Sequence, residues 1–252
     1  DKLAAKLFER GPGELILTKK GQQLLGCAEQ MLFVEEEIKQ RVANPAETEG
    51  LFRRGASETI AQAWLPSFIQ AFNAQFPQVN VDLTVDISLN LRASILERRL
   101  DLAFLMGPVS EFSVKNVALP QFELHWYKSS QMGDVDLAET PVISYSNQTR
   151  PYRELTSELA QRVGPKSRVF SSASLSASLK TIAAGIAVGP YPRGLAAPHL
   201  EANEVVEFDP GFVPPALQFT ASYLAEPRSF LVENSAEIAR EVAMAWHGSQ
   251  PQ

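Results

Sequence analysis

The sequence has 252 residues, enough for about two domains, and its 45% hydrophobic and 21% charged residues give an ordinary globular balance. The formal net charge of −6 excludes a module that binds nucleic acid through a uniformly basic surface. The one cysteine, Cys27, excludes an intrachain disulfide and makes a reducing cytoplasm the default, and no apolar run reaches the roughly 18 residues of a membrane span.

A short hairpin is predicted near the start of the chain. Gly11-Pro12-Gly13 lies between Phe8 and the apolar run Leu15-Ile16-Leu17, which is typical of a tight turn entering a strand. Residues 1–20 also carry five Lys or Arg against three acids, so the acidity of the chain lies further along. Basic charge at this end favours contact with phosphate there and not elsewhere.

A long helix that pairs with a second helix is predicted after Thr18. Its stripe recurs at alternating spacings of four and three, an average of 3.5 residues that keeps one seam facing a partner. The stripe consists of Leu24, Ala28, Met31, Glu35, Ile38 and Val42. Leu25 and Leu32 widen the apolar face. We therefore expect dimerisation through Leu24, Ala28, Met31, Ile38 and Val42.

Two α/β units are predicted after a hinge at Asn44-Pro45 and Gly50. In the first unit, strands are expected at 51–57, 79–87 and 102–106, and helices at 59–75 and 91–100. In the second unit, strands are expected at 141–145, 168–171 and 186–188, and helices at 151–162 and 175–184. Residues 122–127 and 217–224 are expected to be extended, and 229–246 to form a last helix. Alternating strands and helices of this kind imply mostly parallel sheets.

The chain resembles the LysR-type transcriptional regulators, and an ordered series of motifs carries the resemblance. The first motif consists of Leu7, Phe8, Arg10, Leu17, Thr18 and Gly21, which match the end of that family's helix-turn-helix, its wing and the start of its linker helix. The later motifs are Leu65-Pro66, Phe72, Phe76-Pro77, Leu100-Asp101-Leu102-Ala103, Ala183-Ala184-Gly185-Ile186 and Pro192. Family members begin with further helices, so the resemblance implies that most of the helix-turn-helix is missing and that direct base readout is lost.

The resemblance implies an α/β fold with two Rossmann-like subdomains like those of type II periplasmic binding proteins, preceded by a winged-helix remnant and a linker helix. The implied domains are the wing at 1–18, the linker helix at 19–44, subdomain I at 50–121 and 216–247, and subdomain II at 122–215. It also implies promoter DNA, a small-molecule effector and self-association as a dimer or tetramer as partners. No cofactor and no membrane are expected.

Three junctions between a strand and a helix are candidates for the effector site, because doubly wound sheets bind ligands at such junctions. The candidate residues are Ser57, Glu58, Thr59, Tyr145, Asn147, Thr149, Arg150, Ser172 and Ser174, with Gly189 and Pro190 as a possible wall. Free N–H groups at helix starts suit a carboxylate or another anion, and Arg150 could bind one bidentately. Ser, Thr and Asn are also good N-caps without any ligand, so that alternative stays open.

DNA contacts are expected from Arg10, from the wing tip at Gly11 and Gly13, and from Lys19 and Lys20. Such contacts would position the protein on phosphates and would not choose a sequence. For Lys20, a merely solvated helix end is an equal alternative.

Catalysis finds little support in the sequence. The histidines His125, His199 and His247 are far apart, and nucleophile-elbow, phosphate-loop and dinucleotide motifs are absent. We therefore expect a regulator and not an enzyme. A bilobal solute-binding receptor or a small-molecule enzyme on the same scaffold remains the alternative.

Overall fold

The computed structural model of the protein describes residues 5–10, 15–42, 48–165 and 167–249. The first part contains β1 (Phe8–Arg10), β2 (Leu15–Leu17), α1 (Lys19–Val42), β3 (Gly50–Ala56), α2 (Glu58–Gln62), α3 (Leu65–Gln75), β4 (Val79–Val85), α4 (Ser88–Leu96), β5 (Leu102–Met106) and β6 (Val114–Ala118). The second part contains β7 (Leu124–Ser129), β8 (Val142–Ser144), α5 (Arg150–Arg162), β9 (Val169–Ser171), α6 (Leu175–Ala183), β10 (Gly189–Pro192), α7 (Arg193–Glu201), β11 (Val205–Glu207), β12 (Phe219–Leu224) and α8 (Phe230–Ser249).

The predicted hairpin and long helix are both present. Strands β1 and β2 pair antiparallel, with Phe8 opposite Leu17, and α1 runs unbroken for 24 residues. Thr18 joins the two, because its backbone N–H donates to the Leu7 carbonyl at 2.9 Å while its hydroxyl accepts from the Gly21 N–H at 3.0 Å. That second hydrogen bond caps the helix. The predicted tip, Gly11 and Gly13, lies outside the described residues.

Gly21→Ala should detach the hairpin from α1, because a Cβ atom at Gly21 would lie 2.1 Å from the Leu7 carbonyl oxygen. Overpacking of this kind costs about 1–3 kcal/mol. We expect faster hydrogen exchange at the Thr18 amide. Gly26→Ala is the matched control, since no atom lies within 4 Å of its added Cβ and alanine favours the helix by up to about 1 kcal/mol. Equal exchange in both variants would contradict the packing role of Gly21.

The larger sheet has five strands in the order β4-β3-β5-β12-β6. Strand β3 lies parallel to both β4 and β5, as the alternating pattern of strands and helices predicts. Strand β12 is antiparallel to β5 and β6, although residues 119–218 separate it from β6 in the chain. The last strand therefore returns to complete the first sheet.

The helix predicted at 59–75 is wrong as a single element, since the structure has α2 and α3 with a break at Ala63 and Trp64. Pro66 explains the break. In a continuous helix it would lack an N–H for the Gln62 carbonyl, and its ring would clash with that group. In the observed structure Pro66 occupies the first turn of α3, where proline is tolerated.

The remaining strands form a second group. Strands β10 and β11 pair antiparallel on either side of β7, and β8 pairs parallel with β9. The strand predicted at 186–188 is wrong, because only Val188 pairs there, in a bridge to Val142, and the regular strand starts at Gly189.

The two groups of strands have separate hydrophobic cores, and the chain passes between them twice. At the crossing, Phe122 and Leu217 exchange backbone hydrogen bonds of 3.0 and 2.9 Å. Tyr145 and Ala63 pack against both cores. These residues therefore connect the two units mechanically.

A buried arginine is an unexpected feature of the first core. Arg54 on β3 is fully buried, and its guanidinium carbon lies 3.6 Å from the ring centroid of Phe72, 4.4 Å from that of Phe52 and 4.9 Å from that of Phe68. Its three side-chain nitrogens have no hydrogen-bond partner among the described residues. Burial lowers the pKa of Arg54 to about 9. Within the described residues, the charge is therefore stabilised by contacts with aromatic faces.

Candidate functional site

A cleft of about 420 Å³ lies where β3, β5 and β8 end, between the two groups of strands. Its walls include the starts of α2, α4, α5 and α6, as expected for an α/β fold that binds ligands beyond the carboxyl ends of its strands. Of the eleven candidate residues, the structure brings seven to this cleft: Ser57, Glu58, Thr59, Tyr145, Thr149, Arg150 and Ser172. The four others, Asn147, Ser174, Gly189 and Pro190, do not line it.

The Ser57 hydroxyl lies in the cleft without a hydrogen-bond partner among the described residues. Strand β3 ends just before it, and its backbone N–H donates to the Phe104 carbonyl at 2.9 Å, which fixes its position. Ser57 is only 8% exposed and occupies the N-cap position of α2, yet its side chain makes no capping hydrogen bond. The N-cap alternative therefore does not explain this serine.

Tyr145 lines the cleft from the second group of strands. Its ring lies 5.3 Å from that of Tyr191, and its hydroxyl is buried next to Thr59 without a hydrogen bond of normal geometry. Burial raises the pKa of Tyr145 well above its usual range, so the phenol stays protonated near neutral pH and can act as a donor. The cleft therefore holds two buried hydroxyls, one from each unit, with free hydrogen-bonding capacity.

Three other hydroxyls at these junctions, those of Thr149, Ser172 and Ser174, have internal partners. The Thr149 side chain donates to the Ser146 carbonyl at 2.6 Å, and the Ser172 hydroxyl donates to the Ser174 carbonyl at 2.9 Å. Ser174 accepts from the Ala177 N–H at 3.3 Å and so caps α6. For these residues the capping and turn interpretation accounts for what the structure shows.

Two arginines of α5 give one wall of the cleft positive charge. Arg150 lies 3.4 Å from Glu154 through its Nε atom and is about half exposed. Arg153, which the sequence analysis did not select, donates to the Gln148 carbonyl at 3.2 Å and has no carboxylate within ion-pair distance among residues 48–165 and 167–249. The first turn of α5 has no acidic residue, so the helix dipole adds to this charge.

Two acids from the first unit, Asp86 and Glu58, also line the cleft, and both accept hydrogen bonds from neutral groups. Asp86 accepts from the Ile87 N–H at 2.7 Å and from the Asn90 amide at 2.9 Å, and Glu58 accepts from the Gln62 amide at 2.7 Å. Arg92 reaches the cleft from α4 and forms an ion pair with Glu111.

Much of the remaining lining is apolar, and sequence reasoning missed this part of the site. It comprises Val85, Ile87, Leu89, Met106, Pro108, Pro151, Leu175 and Phe219. Met106 and Leu175 stand directly at junctions where a strand ends or a helix begins, which is a signal that could have been used. Phe219 comes from the returning strand β12, so only the fold places it there.

Gly189 and Pro190 need a correction. We expected them to follow a strand and to form a wall of the cleft, but they lie buried inside β10, opposite Tyr127 and Trp126 of β7. A Cβ atom at Gly189 would approach the Ile143 carbonyl oxygen to 2.4 Å, so close packing against β8 requires the glycine.

The residues proposed for pairing and for DNA contact lie at the front of the chain. Lys19 and Lys20 are exposed at the start of α1, and Arg10 ends β1. Along α1, Leu24 is 36%, Met31 74% and Ile38 54% exposed. Ala28 is partly buried, and Val42 ends the helix. This stripe is thus largely uncovered in the single chain.

Other kinds of site are not indicated within the described residues. No group of three His, Cys, Asp or Glu side chains in this part of the chain could hold a metal ion. His125 lies 3.6 Å from Glu207, and His199 lies 2.6 Å from Glu204. None of the helices in the described ranges has the length and apolar character needed to cross a membrane.

Comparison with known proteins gives consistent matches. The family described as "LysR substrate binding domain" matches residues 45–244. The HTH-type transcriptional regulator YofA of Bacillus velezensis is 27% identical over 191 residues, which are 75% of this chain and 66% of YofA. The HTH-type transcriptional regulator GltR of Bacillus subtilis is 24% identical, with 81% of this chain and 70% of GltR covered. The chain thus spans about two thirds of the length of these relatives.

Solved structures share the fold. The full-length LysR-type regulator LysG of Corynebacterium glutamicum, described with bound effector Arg, superposes with a TM-score of 0.67 at 18% identity, covering 97% of this chain and 84% of LysG. The regulatory domain of HypT from Salmonella typhimurium gives a TM-score of 0.67 at 15% identity, covering 79% of this chain and 97% of that domain.

Proposed function

Because this chain belongs to the LysR substrate-binding-domain family, we propose that it is the effector-sensing part of a bacterial LysR-type transcription regulator. Membership confirms the resemblance found in the sequence motifs, together with the α/β fold of the periplasmic-binding-protein type. It also favours a regulator over the receptor or enzyme that the sequence left as alternatives. The proposed role places the protein in the cytoplasm.

The cleft is the proposed effector site, and one observation carries this proposal. Two buried hydroxyls, Ser57 from the first unit and Tyr145 from the second, lie in it without a hydrogen bond of normal geometry to any described residue. A buried polar group without a partner costs about 1–3 kcal/mol, so a structure keeps such groups where something else binds them. Asn147, Ser174, Gly189 and Pro190 are not part of this proposal, since they lie away from the cleft.

Effector binding is proposed to select one arrangement of two subdomains, with subdomain I at 50–121 and 216–247 and subdomain II at 122–215. The double crossing at Phe122 and Leu217 supports this division. A ligand changes the balance between two arrangements only if it binds one of them more tightly. Contacts to both units would supply that difference.

Self-association and DNA binding complete the proposal. The exposure of Leu24, Met31 and Ile38 supports a dimer through the stripe of α1, which consists of Leu24, Ala28, Met31, Ile38 and Val42. Such a dimer would transmit the arrangement of the subdomains to the DNA-binding heads. A tetramer would need further contacts between effector domains. Promoter DNA is the proposed target of the whole protein, with Lys19, Lys20 and Arg10 near the phosphates.

Arg150→Ala should weaken the binding of an anionic effector at least tenfold, because a hydrogen bond to a charged group contributes about 1.5–3 kcal/mol. A thermal-shift screen of carboxylates and aromatic metabolites would first find a ligand, since a ligand that binds the folded state raises its apparent stability. Calorimetry on the variant and on the unchanged protein then measures the loss of affinity for that ligand.

The control for this experiment is Arg162→Ala. Arg162 lies at the other end of α5 and pairs with Glu158 at 2.7 Å, as Arg150 pairs with Glu154, but it does not line the cleft. The control should bind the ligand as the unchanged protein does. Equal affinity in both variants would refute the role of Arg150, and an equal loss in both would place the ligand elsewhere.

A further inference from the structure

Three arginines line the cleft, and they come from both units. Arg92 belongs to α4 of the first unit, whereas Arg150 and Arg153 belong to the first turn of α5 in the second unit. Like charges repel each other, so these side chains oppose a close approach of the two units unless anions lie between them. The balance of charge in the cleft therefore affects how the two units are arranged.

Arg92 already has an anion within its own unit. Its guanidinium forms an ion pair with Glu111, which lies on the loop 107–113 between β5 and β6. Glu111 itself does not line the cleft. A carboxylate from outside the cleft thus binds the same guanidinium that an anionic group of a ligand inside the cleft would reach.

The loop allows Glu111 to move without a change in the rest of the fold. Before Glu111, the Val109 N–H donates to Asn116 Oδ1 at 3.0 Å, and the Val109 carbonyl accepts from Asn116 Nδ2 at 3.1 Å. After it, the Ser113 carbonyl accepts a backbone hydrogen bond of 2.7 Å. Phe112, between these two anchors, is fully exposed, so its side chain does not hold the loop in place. Movement of Glu111 can be confined to residues 110–112.

The ion pair is also accessible to a competitor. The Arg92 and Glu111 side chains are 43% and 40% exposed, and water weakens ion pairs of this kind. A second cavity, of about 280 Å³, adjoins the cleft and shares Arg92 with it, which leaves the guanidinium space to turn. An anion that other contacts already hold in the cleft can therefore replace Glu111.

The number of charges on the ligand decides whether this exchange occurs. A ligand with one anionic group can be bound by Arg150 and Arg153 alone, and Glu111 then keeps its partner. A ligand with two anionic groups offers the second one to Arg92. Only the second kind of ligand would connect the arginines of the two units.

We infer that Glu111 competes with the effector for Arg92, and that the effector is an anion with two charged groups that connects Arg92 to Arg150 and Arg153. This inference rests on the proposed function, because it describes how the proposed effector site is regulated. Without effector, the charge of Arg92 is neutralised within the first unit. With effector, it is neutralised by a molecule that the second unit also holds. The effector therefore binds more tightly when the units are close together, as a switch requires.

Succinate, glutarate and adipate, each beside its monoamide, test the number of charges. At least one diacid should raise the melting temperature more than its monoamide does, because it binds the folded protein more tightly. By calorimetry, Arg92→Gln should lower the affinity for that diacid by at least about tenfold and leave the affinity for its monoamide unchanged. The inference is wrong if none of the three diacids stabilises the protein, or if Arg92→Gln weakens the diacid and the monoamide equally.

Glu111→Gln should have the opposite effect on the diacid. Removal of the competing carboxylate should raise the affinity about two- to fivefold, which corresponds to the strength of an exposed ion pair. Damage to the fold would lower the affinity instead. Combined with Arg92→Gln, the same substitution should change nothing, since Glu111 acts only through Arg92. An equal gain in the double variant would show that Glu111 acts through its negative charge in general and would overturn the inference.

Glu97→Gln is the matched control. Glu97 pairs with Arg99 at 2.7 Å just after α4, as Glu111 pairs with Arg92, but neither residue of this second pair lines the cleft. The control should bind the diacid and the monoamide as the unchanged protein does. A gain in affinity as large as that in Glu111→Gln would contradict the inference.

Arg150→Ala separates this inference from the proposed function. If Arg92→Gln and Glu111→Gln leave the affinity for the diacid unchanged while Arg150→Ala lowers it, the competition does not exist but the cleft remains the effector site. If Arg150→Ala also leaves it unchanged, the proposed role of Arg150 at the effector site fails as well.

Discussion

Arg54→Met should stabilise the protein by about 1–4 kcal/mol, which would raise its melting temperature by several degrees. Replacing a buried ionic group by an apolar side chain of similar size has this effect when desolvation outweighs the attractions that the charge makes. Here the attractions are limited to three aromatic faces, because the guanidinium has no hydrogen-bond partner among the described residues. Methionine is flexible and makes favourable contacts with aromatic rings, so it should fill the space.

Arg53→Met is the control for this substitution. Arg53 precedes Arg54 on β3 and points to the opposite face, where its Nε atom donates to the Asp101 carboxylate at 3.2 Å and its Nη1 atom to the Arg98 carbonyl at 2.8 Å. Its removal should destabilise the protein, because these groups lose their donors. Thermal and denaturant unfolding of the two variants should move in opposite directions. A destabilised Arg54→Met would show that the aromatic cage outweighs the burial of the charge.

The difference between Arg54→Met and the unchanged protein should also depend on pH. The folded pKa of Arg54, about 9, lies well below that of the free side chain, so the unfolded state binds more protons between the two values. Burial of the charged guanidinium therefore destabilises the unchanged protein fully below about pH 9. As pH rises above about 9, Arg54 loses its proton in the folded state and this destabilisation decreases. The advantage of the methionine variant should shrink between pH 7 and pH 10.5. A constant difference over this range would mean that Arg54 keeps its ordinary pKa.

Met31→Asp combined with Ile38→Asp should convert the proposed dimer into a monomer. Both side chains lie on the stripe of α1 and are 74% and 54% exposed. Apolar residues at heptad spacing are buried when their helix pairs with a second one. Two carboxylates at the seam would meet their copies in the partner helix and would lose hydration. Light scattering gives the molar mass directly, and halving is the expected result.

Gln22→Asp combined with Gln30→Asp is the matched control. These polar residues are exposed on the other side of α1, and they add the same two charges without touching the seam. The control should keep the mass of the unchanged protein. A seam variant that stays dimeric, or a control that also dissociates, would show that the stripe of α1 is not the pairing surface.

Local patterns were sufficient where one feature of the chain decides the outcome. The turn before Leu15 and the cap at Thr18 predicted the hairpin and the start of α1, and strict alternation predicted β4. The helix predicted at 59–75 failed as a single element because apolar periodicity was followed across Pro66, whose missing N–H ends the first helix. Seven of the eleven candidate site residues reached the cleft because strand ends are recognisable in a sequence.

The sequence by itself determined the family, the α/β class, the heptad stripe of α1 and the junctions between strands and helices, because periodicity, caps and motif order are local properties. Only the tertiary structure decided which junctions meet, since β12 completes a sheet begun far earlier and carries Phe219 into the cleft. It also decided which polar groups remain unpaired. Ser57 and Ser174 are both serines at a helix start, but among the described residues the Ser57 hydroxyl is buried without a partner, whereas the Ser174 hydroxyl has a donor. Whether a buried polar group has a hydrogen-bond partner depends on all of its neighbours in space, and the spacing of residues along the chain does not specify these neighbours.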